Sequence, residues 1–128
     1  MAGFGKSHDL IIRPALSLKG GDRFRMDLRY EHGDVESDGA PVQSHALFPR
    51  DSFRFSINFP GFYDAKWDQA IVETNIDVGL GEGVFTNIAG YRKFRSSAGA
   101  DIDGTPQSFF HAFFEIDQDQ LSDELRYA

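Results

Sequence analysis

The sequence predicts an all-β protein, a single-domain antiparallel β-sandwich of jelly-roll or immunoglobulin-like type with about seven or eight strands. Apolar and polar side chains alternate along several segments, which is the pattern of a strand with one buried face. Turn-forming residues separate these segments at intervals of about 8 to 14 residues. Thirteen of the 128 residues are phenylalanine, enough to fill a core between two sheets.

The N-terminal part predicts a hairpin. Apolar residues occupy the even positions of Leu10 to Leu18, and Pro14, which has no N–H to donate, places this strand at a sheet edge or at a bulge. Gly20-Gly21 is a pair favoured in two-residue hairpin turns. The return strand, Asp22 to Glu31, alternates most regularly, with Phe24 on one side and arginines on the other.

The middle of the chain is less regular. Residues 32–41 are rich in turn formers and predict an exposed loop, followed by a weaker strand from Val42 to Phe48. Ser52 to Phe59 alternates strongly and predicts another strand, which Pro60-Gly61 ends in a turn. Phe62 to Gln69 is ambiguous and is compatible with a short helical turn.

The next elements are again strand-like. Val72 to Val78 alternates, the glycines of 79–83 predict a flexible turn, and Val84 to Arg95 predicts a further strand. Residues 96–106 predict a second long loop.

The last third of the chain contains a strand that is apolar on both faces, Gln107 to Ile116. Such a strand is buried on both sides or packs one side against another subunit. Asp117 to Tyr127 is compatible with a short helix, because Leu121 and Leu125 are four residues apart.

Length and composition limit the class of protein. The chain is expected to be one domain over residues 1–128, with an N-terminal arm at 1–8 and an acidic segment at 117–128. The absence of cysteine excludes thiolate zinc sites and thiol catalysis. No apolar run reaches the roughly 20 residues of a membrane helix, and no secretory signal opens the chain. We expect a protein that is cytoplasmic or assembled in a larger particle.

The net charge of −7 is concentrated in the C-terminal half. Residues 1–64 carry eight basic and nine acidic side chains, whereas residues 65–128 carry five and eleven. Because phosphate contacts by Lys and Arg supply most non-specific affinity for nucleic acid, this balance argues against a nucleic-acid partner.

Two sets of residues could hold a metal. His32 and Asp34, with the distant His111, have the ligand types of a two-His-one-carboxylate iron site, and His45 with His32 suits a cupin-like site. Asp101-Ile102-Asp103-Gly104 resembles part of a calcium loop but lacks the EF-hand spacing, so an ordinary turn is the favoured interpretation.

No catalytic set stands out, and the sequence favours a non-enzymatic protein-interaction or self-assembly module without a cofactor. We expect a protein partner or a homo-oligomer, contacted through a sheet face and the long loops. The residues expected to bind the partner are Arg23, Arg25, Arg29, Arg54, Phe109 and Phe113. The alternative is a small-ligand or divalent-metal β-barrel, cupin-like or of the non-haem-iron type, that uses His32, Asp34 and His111.

Overall fold

The structure is a computed structural model that describes residues 5–79 and 83–128. The described residues are all-β, with six strands and no helix. The strands are β1 (Ser7–Ile12), β2 (Ala15–Gly20), β3 (Phe24–Asp38), β4 (Phe62–Asp77), β5 (Val84–Asp101) and β6 (His111–Tyr127).

The strands form one antiparallel sheet in the order β1-β3-β4-β5-β6, with β2 also paired to β3. Strands β1 and β2 therefore share one edge of the sheet, and β6 forms the other. The described part of the chain contains this single sheet, so the predicted sandwich of seven or eight strands is not found within one copy. The all-β class itself is confirmed.

The N-terminal hairpin is confirmed in its main features. Strand β2 pairs antiparallel with β3, with Ala15 opposite Arg29 and Gly20 opposite Phe24. The connecting loop therefore has three residues rather than two, and Gly21 adopts the positive φ of 63° that a residue with a Cβ adopts rarely. Pro14 lies between β1 and β2 at the sheet edge, where a missing N–H costs no ladder hydrogen bond.

The predicted loop at 32–41 is wrong, because β3 continues to Asp38. Glycine at position 33 allows β3 to continue past this point, because a residue with a Cβ would place that atom 2.1 Å from the Trp67 ring. The strands predicted at 42–48 and 52–59 are also wrong, since those residues belong to no strand. The ambiguous residues 62–69 form the first half of β4.

The C-terminal half has longer strands than the sequence predicted. Strand β5 extends to Asp101, so the second loop spans 102–110 instead of 96–106. The expected helix at 117–127 is wrong, because these residues continue β6. Of the predicted glycine turn, residues 80–82 lie outside the described residues, and Gly79 has a φ of 66°.

The chain divides into two compact units. Of the described residues, the first unit contains 5–10, 34–66 and 95–116, and the second contains 11–33, 67–79, 83–94 and 117–128. Strands β3 to β6 each contribute residues to both units.

Neither unit contains a packed hydrophobic core among its described residues. Ala65, in the first unit, is the one hydrophobic residue that is buried, at 2 % exposure. The accessible surface of the chain is 9325 Å². A globular monomer of 14.4 kDa exposes roughly 6,800 Å², so the excess is about 2,500 Å².

Candidate functional site

The most extensive feature of the second unit is one apolar face of the sheet. Leu18 of β2 lies opposite Met26 of β3, so the even-numbered residues of both strands share a face. Tyr30 and His32 of β3 both hydrogen-bond to Asp68 of β4, which places the even-numbered residues of β4 on the same face.

Odd-numbered residues of β5 and β6 continue this face. Lys93 of β5 is close enough to Asp68 to contribute to its lowered pKa, and the Tyr91 hydroxyl donates a hydrogen bond to Asp119 of β6 at 2.9 Å. We call the apolar residues of this surface the apolar face. It comprises Leu16, Leu18, Phe24, Met26, Leu28, Tyr30, Ala70, Val72, Ile76, Phe85, Ala89, Tyr91, Leu121 and Leu125.

None of these fourteen residues is buried. Seven are half-buried and seven are exposed, and the most exposed are Leu121 at 81 % and Leu125 at 66 %. Monomeric soluble proteins rarely expose large apolar patches, and such patches mark interaction surfaces. The apolar face is therefore the candidate functional site.

Polar side chains lie at one end of the apolar face. The Tyr30 hydroxyl donates to Oδ1 of Asp68, and Nδ1 of His32 lies 2.8 Å from the same oxygen. The hydrogen bond from Tyr30, followed by that from His32, lowers the pKa of Asp68. The same contact raises the pKa of Tyr30. These hydrogen bonds order a polar rim around the apolar surface.

The opposite face of the second unit is charged and internally paired. Asp27 accepts hydrogen bonds from the Ser17 hydroxyl and from Nε of Arg25, the latter at 2.8 Å. The Ser17 contact and then the Arg25 contact lower the pKa of Asp27. Farther along this face, Trp67 Nε1 donates to Oε1 of Glu31 at 2.6 Å, which is the main cause of the lowered pKa of Glu31.

The four arginines predicted to bind a partner lie in different elements. Arg25 and Arg29 lie on the charged face, where Arg25 is paired with the carboxylate beside it. Arg23 lies in the hairpin loop. Arg54 belongs to the first unit, where its guanidinium lies 5.7 Å from the centroid of the Phe48 ring.

The two phenylalanines in the predicted binding set belong to the first unit. The Phe113 ring lies 5.7 Å from that of Phe59, which in turn lies 5.1 Å from the His111 ring. Gly99 leaves room for this cluster, because a Cβ there would lie 3.1 Å from the rings of Phe59 and Phe113. Phe109 lies in the loop before β6 and is 72 % exposed.

The residues proposed as metal ligands have other partners. His32 bonds to a carboxylate, Asp34 pairs with a lysine ammonium at 2.9 Å, and His111 lies 3.1 Å from an asparagine amide oxygen. His45 lies in a turn. Within residues 5–79 and 83–128, no group of three or more His, Cys, Asp or Glu side chains is placed to hold a metal ion.

The aspartates of the second loop bind backbone amides. Oδ1 of the buried Asp101 accepts the N–H of Gly104 at 3.0 Å, and Oδ2 of Asp103 accepts the N–H of Phe110 at 2.7 Å. The hydroxyl of Thr105 donates to Asp103 and is the main cause of its lowered pKa. These contacts support the interpretation as an ordinary turn.

Two features of the site were missed in the sequence. Trp67, which supports β3 at Gly33 and bonds to Glu31, falls in the segment that was ambiguous. The alternation of Tyr63, Ala65 and Trp67 with charged residues was the available signal for a strand there. The spacing of Leu121 and Leu125 is compatible with a short helix, but Leu121, Asp123, Leu125 and Tyr127 also fit one face of a strand.

Comparisons with known proteins give no relative: no family model, curated protein or solved structure matches this chain. The described residues include no helix able to span a membrane. The function therefore has to be inferred from the residues of the chain itself.

Proposed function

We propose that the protein is a structural self-assembly subunit, a homo-oligomer in which copies of the chain cover one another's apolar faces. The observation that carries this proposal is the missing core: one hydrophobic residue, Ala65, is buried among those described. Ordering each residue costs about 1–2 kcal/mol of backbone entropy, and burial of apolar surface is the main term that offsets it. A lone copy lacks that burial.

The excess surface has the size of a permanent interface. Obligate interfaces bury roughly 2,000–5,000 Å² in total, and the excess of about 2,500 Å² per copy would supply that amount from two copies. A partner that binds only transiently does not suit this interface, since the apolar face has to be buried from the time the chain folds. Another copy of the same chain is present at that time and in the right amount.

Contact between like faces has to accommodate few charged groups. They lie at the end formed by His32, Asp68 and Lys93 and along β6, where Asp119 and Asp123 accept hydrogen bonds from Tyr91 and Asn87 of the same copy. Two sheets packed face to face lie about 10 Å apart and form a sandwich. The sandwich expected from the sequence would then form between two copies.

No specific observation favours the metal-binding alternative. The three side chains on which it rests, His32, Asp34 and His111, each bond to a different neighbour. A folded monomer that contains stoichiometric iron, zinc or manganese would contradict the assembly proposal.

The proposal is tested by thermal unfolding at several protein concentrations. If association supplies the missing burial, the melting temperature rises with concentration, because mass action stabilises the associated state. Leu18→Asn, on the apolar face, should lower the melting temperature and weaken its concentration dependence. Lys19→Asn, the next residue on the opposite face, is the matched control and should do neither. A melting temperature independent of concentration, in a protein of monomer mass, would refute the proposal.

A further inference from the structure

The segment Ser52 to Phe59 has the sequence of a strand but lies in none. Phe53, Phe55, Ile57 and Phe59 alternate with polar residues, which is the strongest period-two pattern after β3. Residues 52–57 nevertheless belong to no strand, and Phe53 is fully exposed, at 102 %. Asn58 and Phe59, by contrast, contact Asp101, His111 and Phe113 of the same copy. The side-chain amide of Gln43 donates to the backbone oxygens of Ser52 and Arg54. A segment with this pattern gains burial and backbone hydrogen bonds when it joins a sheet edge.

The sheet offers a long free edge at β6. This strand has 17 residues, lies at the end of the sheet order, and is exposed on both faces from Phe113 onward. Long apolar edge strands that nothing covers are templates for pairing with another chain. The exposed apolar residues of β6 include Phe114, Ile116, Leu121 and Leu125.

Charge selects β6 over the other edge. Strand β6 carries five acidic side chains and Arg126, a net charge of −4, whereas the segment at 52–59 carries Arg54 alone, a net charge of +1. At the other edge, β2 carries Lys19 and no acidic residue and β1 carries one acidic residue, Asp9, so that edge lacks the negative charge of β6. Complementary charge of this kind fixes which surfaces meet.

From these observations we infer that residues 52–57 of one copy add as a strand to the outer edge of β6 in a second copy. This inference rests on the proposed self-assembly and names a contact within it. In strand addition of this type, main-chain hydrogen bonds to an exposed sheet edge supply affinity. The segment would then bury Phe53, and β6 would gain a backbone partner on its outer side.

The absence of cysteine allows a direct test by cross-linking. Two full-length single-cysteine variants, Ser56→Cys and Gln118→Cys, carry different tags and are mixed, dissociated, reassociated and treated with a short bis-maleimide. The inference predicts a cross-linked product that carries both tags. The control pairs Ser56→Cys with Ala15→Cys on β2 and should give much less of this product.

A second variant checks that the aromatic anchor is responsible. Phe53→Ser, placed in the Ser56→Cys chain, should reduce the two-tag product severalfold, whereas Phe53→Leu should retain most of it. Because Phe53 is exposed, neither change should disturb the fold of the protomer.

The outcomes separate the two proposals. An oligomer without the two-tag product, or with more product through β2, would overturn this inference and leave self-assembly intact. A product formed only within one chain, seen in a variant that carries both cysteines, would also overturn it. A monomer would refute both.

Discussion

The exposed leucine at the centre of β6 gives the sharpest test of the apolar face. Leu121→Ala removes three carbon atoms from a side chain that is 81 % exposed in one copy. If a second copy buries this side chain, the substitution removes about 0.8 kcal/mol of association free energy per carbon atom. For three carbon atoms, scaled by the exposed fraction of the side chain, the loss is about 2 kcal/mol. Each buried Leu121 would thus change the dissociation constant about 30-fold.

Sedimentation velocity over a dilution series measures this change. The control is Leu47→Ala, which makes the same chemical change at a leucine that is 54 % exposed in a turn of the first unit and is not a member of the apolar face. Leu47→Ala should leave the dissociation constant within threefold of that of the original protein. Equal effects of the two substitutions, or no effect of Leu121→Ala, would refute the assignment of the apolar face as the interface.

Two further predictions concern the fold of the second unit. Gly33→Ala places a Cβ 2.1 Å from the Trp67 ring and should lower the free energy of unfolding by about 1–3 kcal/mol. The fluorescence of this single tryptophan should shift as well. The control is Gly20→Ala, whose Cβ would meet a ring atom of Phe24 at 3.3 Å, and it should change stability and fluorescence little. The lowered pKa of Asp27 stabilises the fold above the unfolded pKa of about 3.9. That stability is lost as pH falls through the pKa of Asp27 in the folded protein, so the melting temperature should drop in acid. The drop should be less steep in Asp27→Asn. An equal dependence of the melting temperature on pH in the two proteins would contradict this role of Asp27.

Alternation predicted strands where a neighbouring strand was close in sequence. The β2–β3 hairpin follows from the alternating residues on either side of Gly20-Gly21, because each strand has its pairing partner next to it in the sequence. Pro14 also marked the edge correctly, because a missing donor has the same consequence in any sheet.

The sequence predicts a loop wrongly where residues that normally form turns are held in a strand by another strand distant in the sequence. His32-Gly33-Asp34 reads as a loop in isolation, yet it continues β3 because β4 lies alongside and Trp67 packs over Gly33. That support comes from residues more than 30 positions away, which local composition does not reveal. Conversely, the alternation of 52–59 shows strand propensity but not whether a partner strand exists.

Burial was the least predictable property. Alternating phenylalanines and leucines implied a core, but alternation states only that one face is apolar and not what covers it. Leu121 and Leu125 also fit both a helix and a strand, since a spacing of four residues places side chains on one face in either case. The pairing of β6 with β5 decides in favour of the strand.

The molar mass of the purified protein in solution tests the central claim most directly. Light scattering coupled to size-exclusion chromatography measures this mass without assumptions about shape. The self-assembly proposal predicts a defined mass that is a multiple of the 14.4 kDa chain and persists at micromolar concentration. A folded, stable protein with the mass of a single chain would contradict it.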